Sequence, residues 1–359
     1  MKNLYIGVMS GTSLDGVDIA LCKINANGCK LLEYYEESFP DSLKNEILES
    51  IHSKITLRDI GVLDQKLGRL YSSTILTFLE EKNILASSIE AVGLHGQTLW
   101  HEPDGEYPFT MQLGSASVVS SQTNITTVSD FRSMDIANGG QGAPFAPAFH
   151  QFLFASHKKR AIVNIGGMAN ITLFEPTLRG WDSGCGNVLL DLWMQEQERK
   201  AYDTDGQFAK SGAVNQALLD SMLSDAYFKK APPKSTGREH FNKLWLESHL
   251  EKFTPLKSAD VARTLLELTA VSITQDLKGE ELEELIVCGG GSKNAFLLQR
   301  LQKLGSYVVQ QSDALSESAD ALEAMAFAWF AYKRIHSEVV ELKSVTGAKK
   351  DSLLGAIYG

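Results

Sequence analysis

The segment from Trp181 to Asn187, WDSGCGN, puts Asp182 at the end of a predicted strand, and Gly184 and Gly186 free the backbone as a helix begins near Asn187. A carboxylate so placed suits catalysis, and it equally suits capping of that helix by Asp182 or Ser183. The turn from Ser10 to Gly16, SGTSLDG, packs two glycines, three hydroxyls and one carboxylate between two apolar runs. Its backbone N–H groups could cradle phosphate oxygens, while a hairpin loop rich in turn formers would read the same way. A carboxylate among anions is repulsive unless a cation lies between them, so Asp15 favours a magnesium nucleotide over bare phosphate.

Further glycine turns follow. LIVCGGGSKN, from Leu285 to Asn294, is an apolar strand running into three glycines at a helix start. It either lets a flat ring approach the backbone or packs strand tightly against helix. No G-x-x-x-x-G-K-[ST] occurs and no G-x-G-x-x-G follows a strand, which weakens the P-loop and Rossmann readings. NIGGMAN, from Asn164 to Asn170, holds in the second half the place of the Ser10 loop in the first, or is an ordinary turn. GLHGQTLWH, from Gly93 to His101, has poor metal spacing. Its His95, Gln97, Thr98 and His101 suit substrate contact or structural roles. DFRSMDIANGGQGAP, from Asp130 to Pro144, could grip an anionic substrate through Arg132 as domains close, or form a salt-bridged hinge. Glu323, near the start of an apolar helix, faces either solvent or a site.

The elements that must position these residues fall into two similar series. Leu4 to Met9 and Val17 to Ile24 predict a β-hairpin, with a third strand over Leu31 to Tyr35. Helices are expected over Ser42 to His52 and Ile60 to Lys82, and strands over Ala91 to Leu94 and Ile125 to Phe131. The glycine-rich stretch from Asn138 to Pro147 marks a hinge. Strands then recur at Ala161 to Ile165 and Asn170 to Phe174, and Trp181 to Gly186 ends a third. Helices are expected over Asn187 to Arg199, Val214 to Leu223 and Asp260 to Leu277. Leu285 to Cys288 reads as a buried strand, Asn294 to Leu304 as a helix, Tyr307 to Gln311 as a strand and Ala319 to Arg334 as a long helix. The expectation is an α/β protein of two similar domains facing a central cleft, a common ligand site.

Composition narrows the function classes. A length of 359 residues suits two domains, and 43% hydrophobic with 22% charged residues excludes disorder. The net charge of -10 would repel a phosphate backbone, which argues against nucleic acid as partner. Cys22, Cys29, Cys185 and Cys288 are scattered without metal spacing and read as reduced thiols. The longest apolar run, Ala324 to Tyr332, is far too short for a membrane span, and the N-terminal apolar stretch reaches Asp15 before a signal-peptide core could form. A soluble, cytoplasmic protein is expected.

The ordered glycine turns across two halves resemble the superfamily of actin, the sugar kinases and the chaperone ATPases, in which two ribonuclease-H-like domains bind ATP between them. The strings GVMSGTSLDGVD, HGQTLWH, DFRSMDIANGGQGAP, NIGGMAN, GWDSGCGN and KSTGREHFN, the last from Lys234 to Asn242, resemble the anhydro-N-acetylmuramic acid kinases of bacteria. The likeness continues to TGAKKDSLLGAIY at the C-terminus. One departure is Cys185, where proline is expected in many relatives.

The resemblance implies two actin-like domains, residues 1–135 and 136–340, with the tail at about 340–359 as a candidate addition to the first. It implies ATP and Mg²⁺ as cofactors. Ser10, Gly11, Thr12, Ser13, Leu14, Asp15, Gly16, Val17 and Asp18 would form the first phosphate loop, with Asp15 on the metal. Asn164, Gly166, Gly167 and Gly184 would serve the second phosphate motif, and Gly289, Gly290, Gly291 and Asn294 the adenosine. Gln97, Thr98, Arg132 and Glu323 would bind substrate, Arg132 through a lactyl carboxylate. Asp182 matches the family's general base. The implied reaction opens the 1,6-anhydro bridge of 1,6-anhydro-N-acetylmuramic acid and phosphorylates O6, yielding N-acetylmuramic acid 6-phosphate and ADP in peptidoglycan recycling. A homodimer is implied too. The alternatives are another sugar kinase of the superfamily acting on a free hydroxyl, or a nucleotide-gated binding or scaffold ATPase.

Overall fold

Strand runs separated by Gly, Asn and Pro turns set the framework of the computed structural model, which describes residues 3–11, 14, 16–52, 55–154, 158–232, 234–238, 240–253, 255–312 and 321–359. The strands are β1 (Leu4–Met9), β2 (Gly16–Asn25), β3 (Gly28–Ser38), β4 (Ile89–Leu94), β5 (Gln97–Glu102), β6 (Phe109–Leu113) and β7 (Thr127–Ser129). Then come β8 (Arg160–Ile165), β9 (Met168–Leu173), β10 (Arg179–Cys185), β11 (Glu284–Cys288), β12 (Val308–Gln311) and finally β13 (Ala356–Tyr358). The chain divides into two compact units, Met1–Leu153 with Ala321–Gly359, and Phe154–Asp320.

In the first unit the sheet order is β13-β7-β4-β1-β2-β3; in the second it is β10-β9-β8-β11-β12. Each begins with a three-stranded antiparallel meander, β1-β2-β3 or β8-β9-β10. A parallel strand is then added beside the first, β4 on β1 and β11 on β8, and another beyond it. Both units are therefore ribonuclease-H-like α/β domains. The shared order puts the ends of β1 and β4, and of β8 and β11, side by side, where open α/β sheets bind ligands.

Two long helices pack on the first sheet. Leu57–Glu81 starts at a reciprocal cap, with Asp59 N–H on Thr56 Oγ1 at 3.2 Å and Thr56 N–H on Asp59 Oδ2 at 2.9 Å. It buries Leu63, Leu67, Tyr71, Ile75 and Phe78 among the core residues of β1, β2 and β4. Leu322–Ile335 packs on β1 and β4 and is buried along most of its length. Its Trp329 ring meets Phe149 at 5.8 Å and stacks on Phe152 at 5.3 Å. These contacts carry the first unit past residue 135 to 153 and restore the chain to it from 321, beyond the boundaries expected at 135 and 340.

The packing of that helix depends on two glycines. A Cβ on Gly7 would lie 1.7 Å from the Ala324 carbonyl oxygen, and one on Gly93 would lie 1.9 Å from that of Phe327. Both obstacles are backbone, so the helix would have to move. We expect Gly7→Ala to cost about 3 kcal/mol, the upper part of the usual overpacking range. Urea unfolding followed by tryptophan fluorescence should show an earlier transition; an unchanged midpoint would contradict this close approach.

In the second unit the helix Ser258–Asp276 is the central packing element, burying Val261, Leu265, Leu266, Leu268 and Ile273. Trp181, 1% exposed, belongs to the same core. Cys22, Cys29, Cys185 and Cys288 are all buried. Among the described residues no helix is long and apolar enough to cross a membrane.

Candidate functional site

In the first unit, the chain leaving β1 and the chain leaving β4 are tied together. Ser10 Oγ donates to the Gly96 carbonyl at 3.3 Å and shares a 2.7 Å hydrogen bond with the Tyr71 hydroxyl. Gln97 Nε2 donates to the Gly11 carbonyl at 3.3 Å. Gln97 is 1% exposed, and its Oε1 has no partner among the described residues. Thr98, half-buried, accepts from Gln112 Nε2 at 3.3 Å.

Arg132 joins this group through His95. Its Nε and Nη2 donate to His95 Nε2 at 3.3 and 3.0 Å, and Nη1 donates to the Gly142 carbonyl at 2.6 Å. The guanidinium also lies 5.4 Å from the centre of the Phe145 ring. Two donors aimed at one ring nitrogen require that nitrogen to be unprotonated. Burial, and then the Arg132 charge, push His95 down to about 3. Burial pushes Arg132 down to about 10, against the opposing pull of Glu323 and Asp135, so it remains a cation at neutral pH. Glu323 is exposed in the first turn of its helix. Asp135 anchors the glycine tract by accepting from Gly142 N–H and from Thr346 Oγ1, both at 2.8 Å.

The phosphate-loop residues have unequal placements. Thr12, Ser13 and Asp15 lie outside the described residues. Leu14 and Val17 are core side chains, so a ligand could meet only their main chain. Gly16 begins β2, and Asp18 Oδ1 accepts from the Tyr34 hydroxyl at 2.5 Å. His101 is exposed on β5, with Nδ1 3.0 Å from Thr110 Oγ1.

In the second unit, Asn164 on β8 sits beside the glycines that follow β11. Gly289 adopts φ +73°, and a Cβ there would meet Asn164 Oδ1 at 2.3 Å. Glycine thus satisfies both the backbone conformation and the close approach. Gly166 and Gly167 accept, through their carbonyls, from Asn187 N–H and Gly186 N–H at 2.9 and 2.8 Å. Gly290 and Asn294 border a cavity of about 440 Å³, together with Asn187, Asp191, Tyr202 and Lys293. That volume is in the range of small-molecule sites. Gly291 is buried in the turn behind it. Asn294 also caps the helix Ala295–Leu304, its Oδ1 accepting from Leu297 N–H at 2.9 Å.

Asp182 is half-buried on β10, opposite Asn170, where the register shifts between Asp182 and Gly184. Such bulges re-aim side chains. Ser183 turns inward and donates to the Ala169 carbonyl at 3.2 Å. Asp182 Oδ2 accepts from Thr236 N–H at 3.0 Å, its own N–H donates to the Lys234 carbonyl at 2.9 Å, and its carbonyl accepts from the Tyr227 hydroxyl at 2.6 Å. The carboxylate is therefore held by a distant loop, and the side chain of Asn187, at the N-cap of the helix Val188–Glu198, donates to the Ile165 carbonyl at 3.3 Å instead of capping that helix. Gly184 packs its open face toward Phe228.

Sequence reasoning missed Tyr227, Thr236 and Lys234 as partners of Asp182, His95 as the support of Arg132, and Asp191, Tyr202 and Lys293 around the cavity. KSTGREHFN was visible as a string, but nothing in it indicates that a backbone N–H reaches Asp182. The chain matches the family model for anhydro-N-acetylmuramic acid kinase over residues 3–359. A kinase of that name from Sulfurovum sp. (strain NBC37-1) is 52% identical over 359 residues, covering 99% of each chain. Its counterpart from Sulfurimonas denitrificans is 49% identical over 367 residues and all of both chains. A solved ROK family glucokinase from Streptomyces griseus, in complex with glucose and AMPPNP, is similar to 92% of this chain with 99% of its own covered, at 13% identity and a TM-score of 0.43. Full-length identity near one half, under a family match spanning almost every residue, means that this chain belongs to the anhydro-N-acetylmuramic acid kinase family.

Proposed function

We propose that this ATP-dependent sugar kinase hydrolyses the 1,6-anhydro ring of 1,6-anhydro-N-acetylmuramic acid and phosphorylates O6, giving N-acetylmuramic acid 6-phosphate and ADP in peptidoglycan recycling. Family membership supports the reaction, and the bond from Thr236 N–H to the Asp182 carboxylate supports the assignment of its base. A cyclic acetal has no hydroxyl at C6, so phosphorylation there must accompany cleavage of the C1–O6 bond. Asp182 takes a proton from water as the oxygen attacks C1 opposite the departing O6, through an oxocarbenium-like transition state with inversion. O6 leaves with the bond pair and is captured by the γ-phosphoryl group, which separates from ADP. Capture replaces the protonated acid that an inverting glycosidase needs.

Arg132 binds the lactyl carboxylate, with Gln97, Thr98 and Glu323 as further substrate contacts. The polar Oε1 of Gln97, buried without a partner among the described residues, suits a sugar hydroxyl donor. The main chain at Ser10 and Gly11 in the first unit, and at Gly167 in the second, is assigned to phosphate, and the cavity at Gly290 and Asn294 to the nucleoside. Magnesium keeps most of its ligands as water and phosphate oxygen and needs one or two carboxylates. Asp15 would supply one, and Asp18 on β2 is a second candidate. When bound, the cation would neutralise phosphate charge.

We place the enzyme in the cytoplasm, where ATP is available, and as a homodimer, which light scattering would test. Mass spectrometry of products formed from ATP, Mg²⁺ and the anhydrosugar in ¹⁸O-labelled water tests the reaction. The expected product carries phosphate on O6 and one solvent oxygen at C1. Phosphorylation without label, or of free N-acetylmuramic acid in preference, would overturn it.

A further inference from the structure

Asp276 is the last residue of the helix Ser258–Asp276, an unfavourable place for a carboxylate because the helix dipole is negative there. Burial also disfavours its charge and holds its carboxyl above the usual range, against the bonds from Lys234 and Trp181. Those two bonds nevertheless lead to one place. Asp276 Oδ1 accepts from Lys234 Nζ at 3.0 Å, and Oδ2 accepts from Trp181 Nε1 at 2.9 Å.

Trp181 immediately precedes Asp182 on β10. Lys234 begins the segment whose carbonyl accepts from Asp182 N–H and whose Thr236 N–H binds the Asp182 carboxylate. The Lys234 side chain is 1% exposed, and its ammonium lies 5.2 Å from the centre of the Tyr227 ring, whose hydroxyl donates to the Asp182 carbonyl. One carboxylate thus fixes the strand that carries the base and the loop that orients it. Opposed hydrogen bonds and a buried ion pair define such a geometry more tightly than apolar packing alone.

We propose that Asp276, through its paired bonds to Lys234 and Trp181, is a positioning residue that sets the orientation of the Asp182 carboxylate. The inference rests on the proposed role of Asp182. Misplacing a catalytic group by a fraction of an ångström costs rate more than binding.

The test is a double-mutant cycle in the full-length enzyme, using ATP, Mg²⁺ and the anhydrosugar. Asp276→Asn is expected to lower kcat about tenfold, with both KM values changed by less than about twofold. Introduced into the Asp182→Asn enzyme, it should cause no further loss of the residual turnover, since the group it orients is gone. A merely structural role would lower the rate in both backgrounds alike, and that outcome overturns the proposal, as does an unchanged kcat. Trp181→Phe removes one of the two bonds while keeping an aromatic side chain in the core, and supplies the same cycle should Asp276→Asn fold poorly. Substantial turnover by Asp182→Asn alone would instead refute the assignment of the base.

Discussion

Asp182→Asn is expected to turn over at least about 10²-fold more slowly than the parent enzyme, while binding the anhydrosugar with nearly unchanged affinity. The amide has almost the same shape and can still accept from Thr236 N–H through its oxygen, so the loop that holds the carboxylate need not rearrange. What it lacks is the capacity to take a proton. Water attacking C1 then becomes cationic as the new bond forms, and the transition state loses the stabilisation that proton removal supplies. An effect confined to kcat distinguishes this from damage to the pocket. Steady-state kinetics together with calorimetric titration of the anhydrosugar in the absence of ATP checks both halves. Near-normal turnover, or binding lost in proportion to rate, would remove Asp182 from the role.

The elements that carry these residues were largely legible because their signals are local. Leu4–Met9, Ala161–Ile165 and Leu285–Cys288 are short apolar runs ended by turn residues, and each is a strand within a residue of its expected bounds. The long amphipathic helix expected from Ile60 spans Leu57–Glu81. Weak or competing signals gave less. The strand expected over Ile125 to Phe131 is only Thr127–Ser129, because Asp130 turns out of the sheet with φ +58°. His95 to His101 carries no expected element, yet Gln97–Glu102 pairs with Phe109–Leu113 as a hairpin whose polar outer face hides the strand period.

Site chemistry was legible by residue and not by partner. Asp182 was a candidate by its expected place at a strand end before glycines, although it lies mid-way along Arg179–Cys185, and only the family resemblance marked it as the base. The groups that hold it come from 45 and 54 residues further along the chain, through Tyr227 and a backbone N–H that carries no residue-specific signal. Asn294 illustrates the opposite case. Its position at the end of a glycine turn suggested nucleotide contact, and the same position is that of a helix cap, which its Oδ1 fills. Lining a cavity and capping a helix are compatible for one asparagine, and periodicity cannot separate them.

Arg132→Ala should raise KM for the anhydrosugar about 30-fold or more, with a smaller change in kcat, as loss of a buried charged hydrogen-bonding partner costs about 2–5 kcal/mol. An arginine has five N–H donors. Three are engaged, two with His95 and one with Gly142, so among the described residues two terminal N–H groups remain for a carboxylate. Their planar fork accounts for a second expected result, that Arg132→Lys recovers little, since an ammonium cannot reproduce both parallel bonds while also reaching His95. The support from His95 has a consequence for pH. With its folded-state value pushed to about 3, the imidazole stays neutral, and the parent KM should not titrate between about pH 5 and 8 as an ordinary histidine would. Initial rates against anhydrosugar concentration, at saturating ATP across that range, measure both effects. An unchanged KM in Arg132→Ala would show that another cation holds the substrate, and a KM rising with a midpoint near 6.5 would show that His95 is not kept neutral by its burial beside Arg132.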